Sequence, residues 1–152
     1  MELPTKLFMR VLTEEYLTLH RKPIKKMLRK FLFKSGQGDK EFKKSIEAIE
    51  SSTKDNSIYT AFVFDRGSGP EGYLLVQLVG IDIKILYIWQ CFLSYAKFSR
   101  TEVKEFTDSL ATFAKSMNCK KLIFYTSRNA KAYSRWLGTS WKQGPTQFER
   151  SL

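Results

Sequence analysis

The chain has 152 residues, of which 43% are hydrophobic and 14% aromatic, and this composition excludes an intrinsically disordered segment. Its 26 lysines and arginines outnumber 15 acidic residues, so the formal net charge is +11. Such a charge favours a polyanionic neighbour (nucleic acid, a phosphorylated cofactor or an acidic protein surface), although many small proteins are basic without a specific partner. The length indicates one domain over residues 1–152.

The few cysteines and the single histidine limit the possible chemistry. Cys91 and Cys119 lack the spacing of a metal or redox motif, and His20 lies in a basic run. We therefore expect inert, buried thiols, no metal, and no mechanism that depends on a catalytic histidine.

Neither a signal peptide nor a membrane helix is predicted. Residues Met1–Arg10 lack the basic-then-apolar order of a signal peptide. The longest apolar region, Tyr73–Ala96, is interrupted by Asp82 and Lys84, whereas a membrane helix needs about 20 apolar residues. We expect a chain that is neither secreted nor transmembrane.

The first half of the chain predicts a strand followed by two helices, the first of them broken. Residues Lys6–Val11 alternate as in a strand, and Thr13 is suited to cap a helix. Pro23 is tolerated best in the first turn of a helix, which predicts a break near His20–Lys22. Asp39 is the predicted cap of the next helix.

Three strands are predicted next. Ile58–Phe64 and Gly72–Val79 flank a turn over Asp65–Pro70, and Ile83–Leu93 follows. The last of these is rich in branched and aromatic residues, which indicates a central position in the sheet.

The clearest helix begins at Ser99, which forms a capping-box pattern with Glu102. Apolar residues recur at three- and four-residue steps along this helix. Asn118 is suited to end it, because asparagine tolerates the left-handed backbone conformation found after helices. The chain then predicts a strand, a helix and a hairpin, over Lys121–Tyr125, Ser127–Leu137 and Trp141–Arg150.

This order of elements resembles the GNAT superfamily of acyl-CoA N-acyltransferases. The most specific likeness is Ser127–Gly138, compared with the family segment N-x-x-A-x-x-F-Y-x-x-x-G. With Gly138 on the family glycine, the matched positions are Leu137, Ala130, Tyr133 and, in place of the asparagine, Ser127. The resemblance implies an α+β domain with a mixed, mostly antiparallel sheet of six or seven strands flanked by helices.

The segment that binds the cofactor in that family departs from the family pattern. GNAT enzymes hold the pyrophosphate with Q/R-x-x-G-x-G/A, because its glycines let backbone amides approach the phosphates. Here Tyr95–Arg100 contains no glycine. If the chain is active, the resemblance implies that the backbone of Tyr87–Phe92 pairs with the pantetheine arm. The candidate pyrophosphate residues within Tyr95–Thr101 are then Lys97, Ser99, Arg100 and Thr101.

The catalytic positions depart as well. The position of the tyrosine that serves the family as general acid is occupied here by Ser134. The neighbouring Tyr133 would point about 100° away from that position on a helix. The predicted strands Gly72–Val79 and Ile83–Leu93 contain no glutamate to act as a base, and Gln90 cannot accept a proton. In an active protein, Tyr133 and Ser134 would be the candidate proton donors.

These departures favour a non-catalytic protein. The chain resembles small, basic, GNAT-like proteins of tailed bacteriophages, some of which are virion, internal-head or assembly components. That resemblance implies no cofactor, a location in the virion or host cytoplasm, and other virion proteins or packaged DNA as partners. The alternative is an acetyl-CoA-dependent N-acetyltransferase with a degenerate pyrophosphate loop.

A basic segment lies between His20 and Lys34, with no acidic residue among its lysines and arginines. Three interpretations remain open: an ordinary amphipathic helix with a solvated face, contact with DNA phosphates, or contact with an anionic membrane, which the shortness of the segment disfavours. The residues predicted to contact an anionic surface are Arg21, Lys22, Lys25, Lys26, Arg29 and Lys30.

Overall fold

The computed structural model describes residues 6–34, 38–93, 98–125, 142–143 and 147–152. Four helices are found in these ranges: α1 (Glu14–Leu19), α2 (Arg21–Lys34), α3 (Asp39–Ser52) and α4 (Arg100–Ser116). The strands in the same ranges are β1 (Phe8–Val11), β2 (Tyr59–Asp65), β3 (Pro70–Val79), β4 (Lys84–Leu93), β5 (Cys119–Tyr125), β6 (Lys142–Gln143) and β7 (Gln147–Ser151).

The strands form a seven-stranded sheet in the order β1-β2-β3-β4-β5-β7-β6. Strands β4 and β5 are parallel, whereas β1 and β2, β5 and β7, and β6 and β7 pair antiparallel. The sequence prediction of an α+β fold with a mixed sheet flanked by helices is confirmed. No helix in the described part of the chain has both the length and the apolar character needed to cross a membrane.

The chain divides into two compact units. The first comprises Met1–Leu75 and Gln90–Lys97, and the second Val76–Trp89 and Phe98–Leu152. The single domain expected over residues 1–152 stays a prediction.

In the first unit, local capping determines where the helices begin. The Thr13 hydroxyl accepts a hydrogen bond from the Tyr16 amide at 3.1 Å, as the sequence predicts. The predicted break is confirmed, since α1 ends at Leu19 and α2 begins at Arg21. The predicted cap of α3 is wrong by one residue: Gly38 is the cap, without a side-chain bond, and Asp39 is the first helical residue. At that position the Asp39 carboxylate interacts favourably with the positive end of the helix dipole.

The second unit is organised around α4. Its buried face includes Val103, Phe106 and Leu110 from the predicted three- and four-residue steps, whereas Phe113 is half-buried and Met117, which follows the helix, is exposed. Asn118 follows the helix with φ 61°, which confirms the predicted left-handed stop. Arg150 of β7 donates to Asp108 of α4 at 3.2 Å and so ties the last strand to the helix.

A buried chain of hydrogen bonds crosses the core of the first unit. The Tyr73 hydroxyl donates to Gln90 Oε1 at 3.0 Å, and Gln90 Nε2 donates to Ser45 Oγ at 2.7 Å. Ser45 Oγ in turn donates to the Glu41 carbonyl at 2.7 Å. The side chains of Ser45, Tyr73 and Gln90 are almost inaccessible, at 0%, 2% and 3% exposure. Because buried polar groups are costly without partners, this chain fixes α3 against strands β3 and β4.

A second network links α1 to the turn between β2 and β3. The Tyr16 hydroxyl donates to Asp65 Oδ2 at 2.5 Å, and the amides of Gly67 and Gly69 also donate to the Asp65 carboxylate. Burial raises the pKa of Asp65, but the Tyr16 bond, the two amides and the Arg10 charge together bring it below its usual value. Burial and the same hydrogen bond raise the pKa of Tyr16.

The first prediction concerns the buried chain. Replacing Gln90→Leu removes the acceptor of the Tyr73 hydroxyl, and we expect a loss of about 1–3 kcal/mol in the free energy of unfolding. Ser45 keeps its bond to the Glu41 carbonyl. The double variant Tyr73→Phe/Gln90→Leu should cost less than the sum of the two single variants, because both polar partners are removed together. Urea denaturation measures this cycle, and strict additivity would contradict the network.

The second prediction concerns the Tyr16–Asp65 bond. Tyr16→Phe should cost about 1.5 kcal/mol at pH 7, since a hydrogen bond to a charged acceptor is lost. A carboxyl whose pKa is lowered by folding stabilises the protein above its unfolded pKa of about 3.9, and this stabilisation is lost as the pH falls through the folded pKa. The difference between wild type and variant should therefore be constant above about pH 5 and narrow below about pH 4.

Tyr73→Phe is the matched control for that measurement, because the acceptor of the Tyr73 hydroxyl is the neutral Gln90 amide. Its cost should not change over the same pH range. Chemical denaturation of both variants at pH 7, 4 and 3 provides the comparison. A Tyr16→Phe cost that is as independent of pH as the control would disprove the charged bond.

Candidate functional site

The candidate site is built on the parallel strands β4 and β5 and the helix between them. The paired residues run from Lys84 opposite Cys119 to Ile88 opposite Phe124, and β4 continues beyond this pairing to Leu93. Parallel strands require a crossover connection, and α4 supplies it. The predicted pyrophosphate residues Ser99, Arg100 and Thr101 lie at the beginning of this helix.

The first turn of α4 is closed by its own side chains. Ser99 Oγ accepts the Glu102 amide at 3.1 Å, and Glu102 Oε1 accepts the Ser99 amide at 2.9 Å, which confirms the predicted capping box. A carboxylate therefore stands at the positive end of the helix and uses an amide that an external anion would otherwise bind.

Three of the predicted site residues lie at the beginning of α4. Ser99, Arg100 and Thr101 are consecutive and exposed at the beginning of α4. Lys97 and the proposed proton donors Tyr133 and Ser134 lie outside the described residues, so their roles stay predictions.

The structure shows carboxylates that the sequence analysis did not weigh. Strand β3 begins at Pro70, earlier than predicted, and so includes Glu71, whose Oε2 lies 3.0 Å from Arg66 Nε. Proline is acceptable as the first residue of a strand, so the predicted strand Gly72–Val79 could have been extended back to Pro70 from the sequence. Asp65 was assigned only to a turn, but it anchors the hydrogen bonds described above. Both carboxylates are held by neighbouring donors, so we assign them structural roles.

The other candidate groups are also occupied or buried. Gln90 is a member of the buried hydrogen-bond chain and has a structural role. Burial raises the pKa of the Cys119 thiol, which makes it a poor nucleophile. His20 packs against Tyr16 with ring centroids 4.3 Å apart. Within the described ranges, no three histidine, cysteine, aspartate or glutamate side chains are grouped so that they could hold a metal ion.

The predicted anionic-contact residues lie on α2. Lys25 is half-buried, and the other residues of that set are exposed: Arg21, Lys22, Lys26, Arg29 and Lys30. Arg21 donates to Glu50 at 2.7 Å and is therefore partly neutralised.

Comparison with known proteins shows likeness in structure alone. No protein-family model and no curated protein sequence matches the chain. A predicted acetyltransferase from Clostridium acetobutylicum with acetyl-CoA has a TM-score of 0.65 at 11% identity, over 92% of this chain and 92% of that chain. The PaiA N-acetyltransferase from Thermoplasma acidophilum, in complex with coenzyme A, has a TM-score of 0.64 at 13% identity over 97% and 99%.

A third similar structure is a putative acetyltransferase of the GNAT family from Desulfovibrio desulfuricans, with a TM-score of 0.65 at 9% identity over 96% of this chain and 99% of that chain. The expectation that the protein takes no cofactor is wrong on these comparisons, because structures of the same fold hold coenzyme A or acetyl-CoA. The absence of glycine in Tyr95–Arg100 argues only against a glycine-rich loop that binds the diphosphate. It does not exclude coenzyme A as a ligand. The chain has the fold of the GNAT acetyltransferases.

Proposed function

We propose that the protein is an acetyl-CoA-dependent N-acetyltransferase. The observation that supports this most strongly is the likeness, over nearly the whole chain, to acetyltransferase structures that hold the acyl donor or coenzyme A. The non-catalytic phage component expected from the sequence has no support in the comparisons. A phage or virion location therefore forms no part of the proposal.

The described residues are compatible with a coenzyme A diphosphate at the beginning of α4. The Ser99 amide already binds an anion, the Glu102 carboxylate, through one exposed hydrogen bond. A phosphate oxygen is an acceptor of the same kind and would replace that carboxylate at the amide. Arg100 adds a positive charge, and the Ser99 and Thr101 hydroxyls are further donors in the same exposed turn. The fit requires Glu102 to turn away.

Bound acetyl-CoA would supply an acetyl group activated as a thioester. The residues of this chain would position that ligand and manage protons. The pairing of the Tyr87–Phe92 backbone with the pantetheine arm stays a prediction. Tyr133 Oη or Ser134 Oγ is the proposed proton donor to the departing sulfur.

Ligand binding provides the first test of the proposal. At 100 times its dissociation constant, acetyl-CoA should stabilise the protein by about 2.7 kcal/mol, which for this size raises the Tm by about 5–10 °C. Adenosine 3′,5′-bisphosphate, which lacks the pantetheine arm, should give a smaller shift. No shift with millimolar acetyl-CoA would remove the proposal. If acetyl-CoA binds but no free coenzyme A thiol is released when a panel of primary amines is added, the proposed ligand stands and the proposed acetyl transfer is disproved.

Glu102 provides a second, sharper test. Glu102→Gln keeps a capping-box residue but removes the carboxylate that competes with the diphosphate, so coenzyme A should bind about two- to fivefold more tightly. Isothermal titration measures the dissociation constant. Glu105→Gln makes the same charge change one helical turn later, on an exposed residue, and is the matched control. Equal effects of the two variants would show that only net charge matters and that the diphosphate does not lie against Ser99.

A further inference from the structure

One face of α2 combines a row of cations with an exposed aromatic ring. At about 100° per residue, five side chains fall within an arc of about 100° of the helix. This set, called here the α2 stripe, consists of Lys22, Lys26, Arg29, Lys30 and Phe33. The opposite face is buried and holds Ile24, Met27, Leu28 and Leu32. The stripe therefore has no part in the core.

The charge of the stripe is not neutralised by the described part of the chain. Helix α2 contains no acidic residue, and among the described residues Lys22, Lys26 and Lys30 form no ion pair. The Arg29 guanidinium lies 4.7 Å from the centre of the Phe42 ring of α3, an arrangement that holds its charge in place. The stripe thus presents cations along about two turns of helix, a form that suits a linear polyanion.

Phe33 distinguishes between the possible polyanions. Its side chain is 86% exposed, an unusual position for a large apolar group among lysines. A membrane-binding helix would need its apolar face, but here that face is buried in the protein. Proteins that bind single-stranded nucleic acid combine a basic track for the backbone with aromatic rings on which bases stack.

We propose that the α2 stripe binds single-stranded nucleic acid without sequence specificity. Lys22, Lys26, Arg29 and Lys30 contact backbone phosphates, and the Phe33 ring stacks on a base. This binding does not depend on the acetyltransferase proposal.

Salt dependence tests the phosphate contacts. We expect fluorescence anisotropy with a labelled single-stranded oligonucleotide to give an affinity that falls steeply between 50 and 200 mM salt, with a log–log slope of about −3 for four contacts. Lys26→Glu/Lys30→Glu should weaken binding and reduce the magnitude of the slope by about 1.4.

Lys104→Glu/Lys120→Glu is the matched control, because it changes the net charge equally at two exposed lysines outside α2. It should leave the slope unchanged. Equal losses for the two double variants, or a flat salt response of the wild type, would overturn the proposal.

Phe33→Ala tests the stacked base. It should weaken binding of the single strand by at least about fivefold and leave the affinity for inorganic polyphosphate unchanged. The melting temperature should not change, because the ring is exposed. An unchanged affinity for the single strand, or tighter binding of wild type to duplex DNA or to vesicles with anionic lipid, would overturn the assignment to single strands.

Discussion

Two parallel neighbouring strands cannot be joined by a tight turn, and this constraint determines how the second unit is built. Strands β4 and β5 pair in parallel, so the chain must cross over between them, and α4 is the crossover. The helix therefore follows β4 along the chain, and its first turn carries the residues that the proposal assigns to the diphosphate. The proposed coenzyme A site lies at the beginning of this crossover helix. The parallel pairing requires the crossover whether or not the preceding loop has the glycine motif of the GNAT enzymes.

The same helix N-terminus has two possible uses that exclude each other. The capping box satisfies the Ser99 and Glu102 amides with side chains and stabilises α4 in the absence of a ligand. A bound diphosphate would need the Ser99 amide, and ligand binding would then include the loss of one exposed hydrogen bond. We expect a net gain because the diphosphate as a whole carries more negative charge than one carboxylate and can accept from several donors at once.

The sequence predicted the local elements well because they depend on nearby residues. The predicted helix caps and stop depend on residues only a few positions apart. The structure has each in its predicted role: Thr13, the Ser99–Glu102 pair and Asn118. The error at Asp39 has the same scale, since a glycine one position earlier serves equally as a cap. What the sequence could not show are bonds between distant positions. Tyr16 meets Asp65 across 49 residues and Ser45 meets Gln90 across 45, and no local pattern records such pairs.

These distant bonds also explain why the candidate site was only partly predictable. Gln90 was weighed as a failed catalytic base, whereas the fold uses its amide to join Tyr73 and Ser45 in the core. Asp65 was assigned to a turn, and its carboxylate holds that turn to α1. Once such polar groups have structural partners, the side chains still available to an external ligand are those without a core role. On α2 they are the cations of the stripe and Phe33, because Ile24, Met27, Leu28 and Leu32 form the buried face of the helix.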